Sequence, residues 1–147
     1  IAASKVFKEK KTICVTGDGS FGFNAMEIDT AVKNSSNICV IISNNGGWNI
    51  EKHDQRLNYG NRVYATSLAH SDYAALAKSL GAYGVRVEDP EKLEQALSEA
   101  LNNTPSVVDV ITSSTILSSD ATKGLGFVPK YQALDVWDDM EIEFRKK

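Results

Sequence analysis

Two polar stretches, Gly17-Asp18-Gly19-Ser20 and Asn44-Asn45-Gly46-Gly47, each follow a run of apolar, β-prone residues. The runs are Thr12-Ile13-Cys14-Val15-Thr16 and Ile38-Cys39-Val40-Ile41-Ile42, a composition that favours β-strands. Residues of helical character lie between them, from Phe23 to Lys33. This order predicts a strand–turn–helix–strand unit with parallel strands, whose carboxyl ends bring both polar stretches to one edge of a sheet.

The rest of the chain continues the alternation of helices and strands. Beyond the first unit we expect a short helix from Ile1, a helix over Asp72 to Leu80, a strand over Gly84 to Val87, a helix opened by Pro90 and a strand over Ser106 to Ile111. A long polar connector from Gly46 to about Ser71 is uncommon in a compact domain unless it is functional. The predicted fold class is α/β, a largely parallel sheet flanked by helices.

Composition divides the chain into a domain over residues 1–111 and a tail over residues 112–147. The tail opens with Thr112-Ser113-Ser114-Thr115, a linker-like composition. Its end, Ala133 to Lys147, is acidic first and basic last, which suits a helix dipole. Trp137, Met140 and Phe144 give that predicted helix an apolar stripe, so we expect it to dock on a neighbouring surface.

The chemistry of the first polar stretch points to a metal-bound diphosphate. Glycines let backbone N–H groups approach an anion closely, and a following helix adds its unpaired N–H groups. The carboxylate of Asp18 would repel that anion unless a divalent cation lies between them. Mg²⁺ prefers oxygen ligands, and Asn44, Asn45 and the carbonyls of Gly46 and Gly47 offer such oxygens.

The paired stretches resemble a known cofactor motif. Gly-Asp-Gly, a spacer in the mid-twenties and Asn-Asn is similar to the thiamine-diphosphate motif of the decarboxylase and acetolactate-synthase superfamily. The loop Asn44 to Lys52 resembles the cofactor loop of pyruvate-type decarboxylases. Asp72 to Ala77, Gly81 to Gly84 and Val87 to Pro90 resemble acetolactate-synthase-like members, and the likeness spans roughly Ile1 to Ile111. The fold it implies is the thiamine-diphosphate-binding fold.

The resemblance implies a role for individual residues. The implied metal ligands are Asp18, Asn45 and the carbonyl of Gly47. The implied cofactor-binding residues are Gly17, Asp18, Gly19, Ser20, Asn45, Gly47, Trp48, Asn49 and Ile50. Glu51 coincides with a glutamate that helps protonate the intermediate in the pyruvate-decarboxylase branch. The implied cofactors are thiamine diphosphate and Mg²⁺.

Other interpretations of the same residues remain. Gly17, Gly19 and Gly22 satisfy the dinucleotide fingerprint, but no carboxylate follows the second strand to bind a ribose. A purely structural glycine turn explains neither Asp18 nor the paired asparagines. An exposed Glu51 beside Lys52 is also typical of a solvated helix start.

Charge and cysteine content exclude several function classes. The 16 basic and 19 acidic residues give a net charge of −3, which offers no electrostatic support for binding nucleic acid. The two cysteines, Cys14 and Cys39, lie inside the apolar strand runs, so we expect both to be buried, and they do not make a disulfide framework. No apolar run is long enough to cross a membrane. We therefore expect a cytoplasmic protein that binds neither nucleic acid nor membranes.

The resemblance also implies that this chain is one part of a larger enzyme. Complete enzymes of this type are several times longer, and another domain or a partner subunit supplies the glutamate that activates the cofactor. We expect a C-terminal cofactor domain that lacks its own N-terminal portion, is inactive alone and self-associates through uncovered apolar surface, so that the enzyme is a homo-oligomer. The predicted function is a thiamine-diphosphate-dependent transferase or lyase acting on a 2-oxo acid, first an acetolactate-synthase-like carboligase. A simple 2-oxo-acid decarboxylase is the alternative, and a NAD-dependent oxidoreductase is a third.

Overall fold

Four parallel strands form the sheet of this protein in a computed structural model that describes residues 1–117 together with Asp139 and Glu143. The strands are β1 (Thr12–Gly17), β2 (Ile38–Asn44), β3 (Tyr83–Val87) and β4 (Ser106–Ile111). Their order across the sheet is β1-β2-β4-β3. Every pairing is parallel, so the predicted α/β class with a largely parallel sheet is confirmed.

The helices are mostly short. They are α1 (Ala2–Val6), α2 (Asp18–Gly22), α3 (Glu27–Lys33), α4 (Asn49–Asn58), α5 (Tyr73–Ser79) and α6 (Leu93–Asn102), the last preceded by a 3-10 turn over Pro90–Lys92. The chain divides into two units: residues 1–47 with 68–114, which contain the whole sheet, and residues 48–67 with 115–147, which contain α4.

Helices pack on both faces of the sheet, as expected for parallel strands, although β1 keeps Ile13 and Val15 exposed. On one face Val40 and Ile42 of β2 join a buried cluster with Ile28 of α3 and Ala77 of α5. The opposite face carries a second cluster of Cys39, Val87, Ala96, Ala100 and Val108, to which α6 contributes both alanines. Successive residues of a strand point to opposite faces, which explains why Val40 and Cys39 belong to different clusters.

The segment after β1 differs from the single helix predicted over Phe23 to Lys33. Helix α2 starts at the end of the strand and stops at Gly22, and α3 begins only at Glu27. Turn hydrogen bonds join the two, including Glu27 N–H to the Asn24 carbonyl at 2.9 Å. Glycine and asparagine are poor helix formers and account for the interruption, whereas an acidic residue suits the first turn of α3.

Two further expectations are wrong. The polar connector contains helix α4, which only the alternative interpretation of Glu51 as a solvated helix start anticipated, because the segment is largely polar in composition. Cys14 is exposed rather than buried, whereas Cys39 is fully buried as expected. Within the described residues β1 pairs only with β2, and its Ile13 and Val15 are also exposed.

Other predictions hold. Asp72 caps α5 by accepting a hydrogen bond from the Ala75 N–H at 2.8 Å, and α6 follows Pro90. The predicted helix over residues 133–147 lies outside the described residues except for Asp139 and Glu143, which are helical. In the described part of the chain no helix has both the length and the apolar character to span a membrane. The cytoplasmic location stays a prediction.

We expect Gly84→Ala to destabilise the sheet because α5 lies against the backbone of β3. A Cβ at Gly84 would clash with the carbonyl oxygen of Ala74 and lie 2.9 Å from its carbonyl carbon. Overpacking of this kind costs about 1–3 kcal/mol of unfolding free energy, which urea denaturation would measure. The control is Gly22→Ala, whose Cβ would meet only the Tyr73 hydroxyl at 3.8 Å. Equal stability of the two variants would contradict this packing.

Candidate functional site

Asp18 is buried at the carboxyl end of β1. It is the first residue of α2, and only 1% of its surface is exposed. The backbone N–H of Gly47 donates a hydrogen bond to its Oδ2 at 3.1 Å. The Tyr73 hydroxyl donates to its backbone carbonyl at 3.3 Å. The two polar stretches of the sequence therefore meet, as the parallel strand ends predicted.

No positively charged side chain among residues 1–117 forms an ion pair with Asp18. Taking a carboxylate out of water is costly unless it is paired, hydrogen-bonded or bound to a metal. The hydrogen bond from the Gly47 N–H offsets only part of this cost. The chemistry of this buried side chain therefore fits a cation as its missing partner.

The loop after β2 carries a second unsatisfied oxygen. The Oδ1 of Asn45 is buried and has no hydrogen-bond partner. Six buried side-chain atoms in the described residues share this property, and five of them belong to residues between Asn44 and Thr66. Buried polar atoms nearly always find a partner in a native protein, so the Oδ1 of Asn45 is an oxygen that a bound group could use.

The donor set available for a metal is small and consists of oxygens. Within the described residues no three His, Cys, Asp or Glu side chains cluster in a way that could hold a metal. One carboxylate, one amide oxygen and backbone carbonyls remain, supplied by Asp18, Asn45 and Gly47. A hard cation such as Mg²⁺ would accept oxygen ligands of these kinds, so the residues present fit such a metal.

The conformation of the loop is set at Gly46. Its backbone φ of +68° is one that residues with a side chain rarely adopt, and a Cβ at this position would lie 2.5 Å from the Nε2 of His70. The Gly46 carbonyl accepts a hydrogen bond from the Leu68 N–H at 2.8 Å. The ring of His70 thus occupies the space beside the loop, a role that the sequence did not indicate.

The first polar stretch leaves room for an anion. Nothing lies within 4 Å of the position that a Cβ at Gly17 would take. Gly19 is buried and Ser20 is exposed, both in the first turn of α2. The N–H groups of a first helical turn have no partner inside the helix. The helix that supplies these N–H groups is α2, which has only five residues and is shorter than the helix predicted to follow the glycines.

The other predicted site residues belong to the second unit. Trp48 is partly buried, and its N–H donates to the Thr66 carbonyl at 2.8 Å. Asn49 opens α4 with its Oδ1 buried and unpartnered. Ile50, 81% exposed, and the exposed Glu51 follow in the first turn. The cofactor role of the first three and the catalytic role of Glu51 stay predictions.

Sequence reasoning missed a buried carboxylate, Asp109 of β4, which is 0% exposed. Its Oδ1 accepts from the Nδ2 of Asn44 at 2.9 Å. Its Oδ2 accepts from the Tyr73 N–H and from Arg86 Nη1, both at 3.1 Å. A signal was available, because Asp109 is a charge inside the apolar run Ser106 to Ile111.

Two groups around the site have displaced pKa values. Burial raises the pKa of Tyr73, and the nearby carboxylate of Asp18 raises it further. The phenol therefore stays protonated and can donate its hydrogen bond. The hydrogen bond to Glu88 raises the pKa of Arg86 most, and the charge of Asp109 adds to this. Arg86 therefore remains a cation beside Asp109.

Comparison with known proteins decides the family. The family described as thiamine pyrophosphate enzyme, C-terminal TPP binding domain, matches residues 1–110. The chain belongs to this family. The predicted resemblance is confirmed, and so is thiamine diphosphate as the cofactor of the matching domain. Its family relatives include a probable acetolactate synthase of Mycobacterium bovis, 34% identical over 117 residues that cover 79% of this chain and 21% of that protein.

A second relative covers more of the chain. The acetolactate synthase of Bacillus subtilis is 35% identical over 139 residues, which cover 91% of this chain and 24% of that protein. Among solved structures, benzoylformate decarboxylase from Polynucleobacter necessarius matches with a TM-score of 0.70 and 24% identity, over 79% of this chain and 22% of that one. This structural likeness shows the fold. The chain spans about a fifth of the length of the first relative.

We expect Gly46→Ala to distort the loop. The side chain would impose an unfavourable φ and a clash with His70, and together these should lower the free energy of unfolding by about 1–3 kcal/mol. The double variant Gly46→Ala/His70→Ala removes the clash and should recover part of the loss in urea denaturation. His70→Ala alone is the control. A Gly46→Ala protein as stable as the wild type would contradict this loop geometry.

Proposed function

We propose that this chain anchors thiamine diphosphate through Mg²⁺, with Asp18, Asn45 and the carbonyl of Gly47 as the protein ligands. The observation that carries the proposal is the buried Asp18 carboxylate, which meets the loop of the second motif half at the Gly47 N–H, 3.1 Å away. The unpartnered Oδ1 of Asn45 in that loop supplies a second oxygen.

Charge balance supports a divalent cation. A diphosphate carries several negative charges, and the Asp18 carboxylate adds one more. Two anionic groups at contact distance repel each other in a buried site, where screening by water is weak. A divalent cation between them turns this repulsion into attraction and uses the oxygen ligands described above. A dinucleotide bound without a metal would leave Asp18 facing phosphate.

The other predicted residues keep the roles that the family resemblance implies. The backbone at Gly17, Gly19 and Ser20 would receive the diphosphate, and the open space at Gly17 allows its close approach. Trp48, Asn49 and Ile50 would line the cofactor. The carboxyl of Glu51 would give or take a proton during turnover, a role that its exposure permits.

The proposed reaction acts on a 2-oxo acid. Thiamine diphosphate, when bound, supplies a carbon nucleophile and an electron sink for decarboxylation. The residues of this chain would hold the cation and orient the diphosphate, and the cation would offset the negative charge of both. The acetolactate synthases among the relatives favour an acetolactate-synthase-like carboligase. The alternative, a simple decarboxylase, is suggested by the residues Ile50-Glu51-Lys52.

We also propose that the enzyme is a homo-oligomer in which other domains or a partner subunit supply the activating glutamate. Exposed apolar side chains of the first unit support this, since surfaces of this kind mark contacts with other protein. They are Val6, Phe7, Ile13, Val15, Phe23 and Met26.

Asp18→Asn should weaken binding of the metal and of the cofactor together. Asparagine keeps the size of Asp18 but removes the charge, so the Mn²⁺ affinity measured by electron paramagnetic resonance in the presence of thiamine diphosphate should fall about 100-fold. The matched control is Asp29→Asn, an exposed carboxylate of α3. We expect it to bind as the wild type does. Unchanged Mn²⁺ affinity in Asp18→Asn would refute the metal assignment.

The full-length protein should convert pyruvate to acetolactate with release of CO₂. Product analysis after incubation with thiamine diphosphate and Mg²⁺ checks this directly. Release of aldehyde without acetolactate would replace the carboligase proposal with the decarboxylase.

A further inference from the structure

We infer that Asp109 is a positioning residue, which holds Asn44 and through it the Asn45–Gly47 loop in the conformation that receives the metal. The inference rests on the proposed function, because it concerns how that metal site is held. Asp109 itself is not among the proposed ligands.

Asn44 is fixed by both hydrogens of its side-chain amide. Its Nδ2 donates to the backbone carbonyl of Ser71 at 3.1 Å and to Asp109 Oδ1 at 2.9 Å. Its own backbone carbonyl accepts from the Thr112 N–H at 2.9 Å. Asn44 is fully buried and immediately precedes Asn45. The last residue before the proposed ligand therefore has one orientation, and Asp109 determines it in part.

Asp109 reaches both halves of the motif. Through Oδ1 it holds Asn44 next to the second half. Through Oδ2 it holds the N–H of Tyr73, whose hydroxyl donates to the backbone carbonyl of Asp18 in the first half. One carboxylate thus connects β2, β4 and the start of α5 to the two loops that would share the metal.

The sheet alone does not require a charge at this position. Asp109 lies in a run of Val107, Val108 and Val110, and an apolar residue there would satisfy the pairing. Burying a carboxylate costs free energy, and an ion pair such as that with Arg86 at 3.1 Å often no more than offsets it. The hydrogen bonds that Asp109 distributes are what an apolar residue could not replace.

Asp109→Asn tests the positioning role because it exchanges a single heavy atom of the side chain. One carboxylate oxygen becomes an NH₂ group. If the remaining oxygen keeps its bonds to Tyr73 and Arg86, the NH₂ faces the Nδ2 of Asn44 and two donors oppose each other. The opposite orientation loses two bonds instead of one. We therefore expect the substituted amide side chain to release Asn44.

The experiment measures two quantities on the full-length protein. One is the dissociation constant of thiamine diphosphate at fixed Mg²⁺, and the other is the thermal unfolding midpoint without cofactor. In Asp109→Asn the dissociation constant should rise about tenfold, as for other residues that orient a metal ligand. The control Arg86→Gln removes the ion pair and the hydrogen bond from Arg86 Nη1 to the Ser71 carbonyl, but leaves the hydrogen bonds that Asn44 makes to Asp109 Oδ1 and to that carbonyl. It should lower the unfolding midpoint while leaving the dissociation constant within about twofold of the wild type.

A purely structural role predicts a different pattern. In that case the cofactor affinity would fall in proportion to the unfolding midpoint in both variants, or it would be unchanged in both. Either result would overturn the inference. The variant Asp18→Asn distinguishes a failure of the positioning role from a failure of the proposed function. If Asp18→Asn binds cofactor normally, the proposed metal site is wrong. If Asp18→Asn loses binding and Asp109→Asn keeps it, only the positioning role is wrong.

Asn44→Ala probes the same link from its other end. It keeps the bonds of Asp109 to Tyr73 and Arg86, so it remains informative where Asp109→Asn fails to fold. It should also weaken cofactor binding about tenfold. In the double variant Asn44→Ala/Asp109→Asn the affinity loss should not exceed that of Asn44→Ala, because both act through one contact. Fully additive losses would overturn the inference.

Discussion

The hydrogen bond from the Gly47 N–H to Asp18 Oδ2, 3.1 Å long, joins the two halves of the motif. It forms because β1 and β2 are parallel neighbours in register, with Gly17 opposite Ser43, so both strands end at the same edge of the sheet. This single hydrogen bond offsets only part of the free-energy cost of burying the Asp18 carboxylate. In the proposed function, a divalent cation would balance the charge of Asp18 and bind the diphosphate.

The sequence predicts the structure correctly where a strong local pattern agrees with the fold. Apolar runs followed by glycine or asparagine predicted β1 and β2, and Asp72 before Ala-rich residues predicted the capped helix α5. The pairing of Asp18 with the loop of Gly47 followed from parallel strand ends. Each of these predictions depends on residues that are close in the chain or on a general rule of sheet geometry. A single sequence contains the information needed for both.

What the sequence did not predict depends on contacts between distant residues. The bonds of Asp109 to Asn44 and to Arg86 join three strands, and no spacing rule connects these positions. The placement of His70 against Gly46 is a packing contact of the same kind. The turn between α2 and α3 falls inside the helix predicted over Phe23 to Lys33, because Asn24 is a weak helix former but not a strong enough signal to predict a break.

The proposed metal site at Asp18 is tested most directly by calorimetric titration of thiamine diphosphate into the full-length protein, with Mg²⁺ and then with EDTA. If the cation bridges the carboxylate and the diphosphate, binding requires it, and EDTA abolishes the binding heat. Equal affinity in EDTA would show that the diphosphate is held without a metal, and would contradict the proposed role of Asp18.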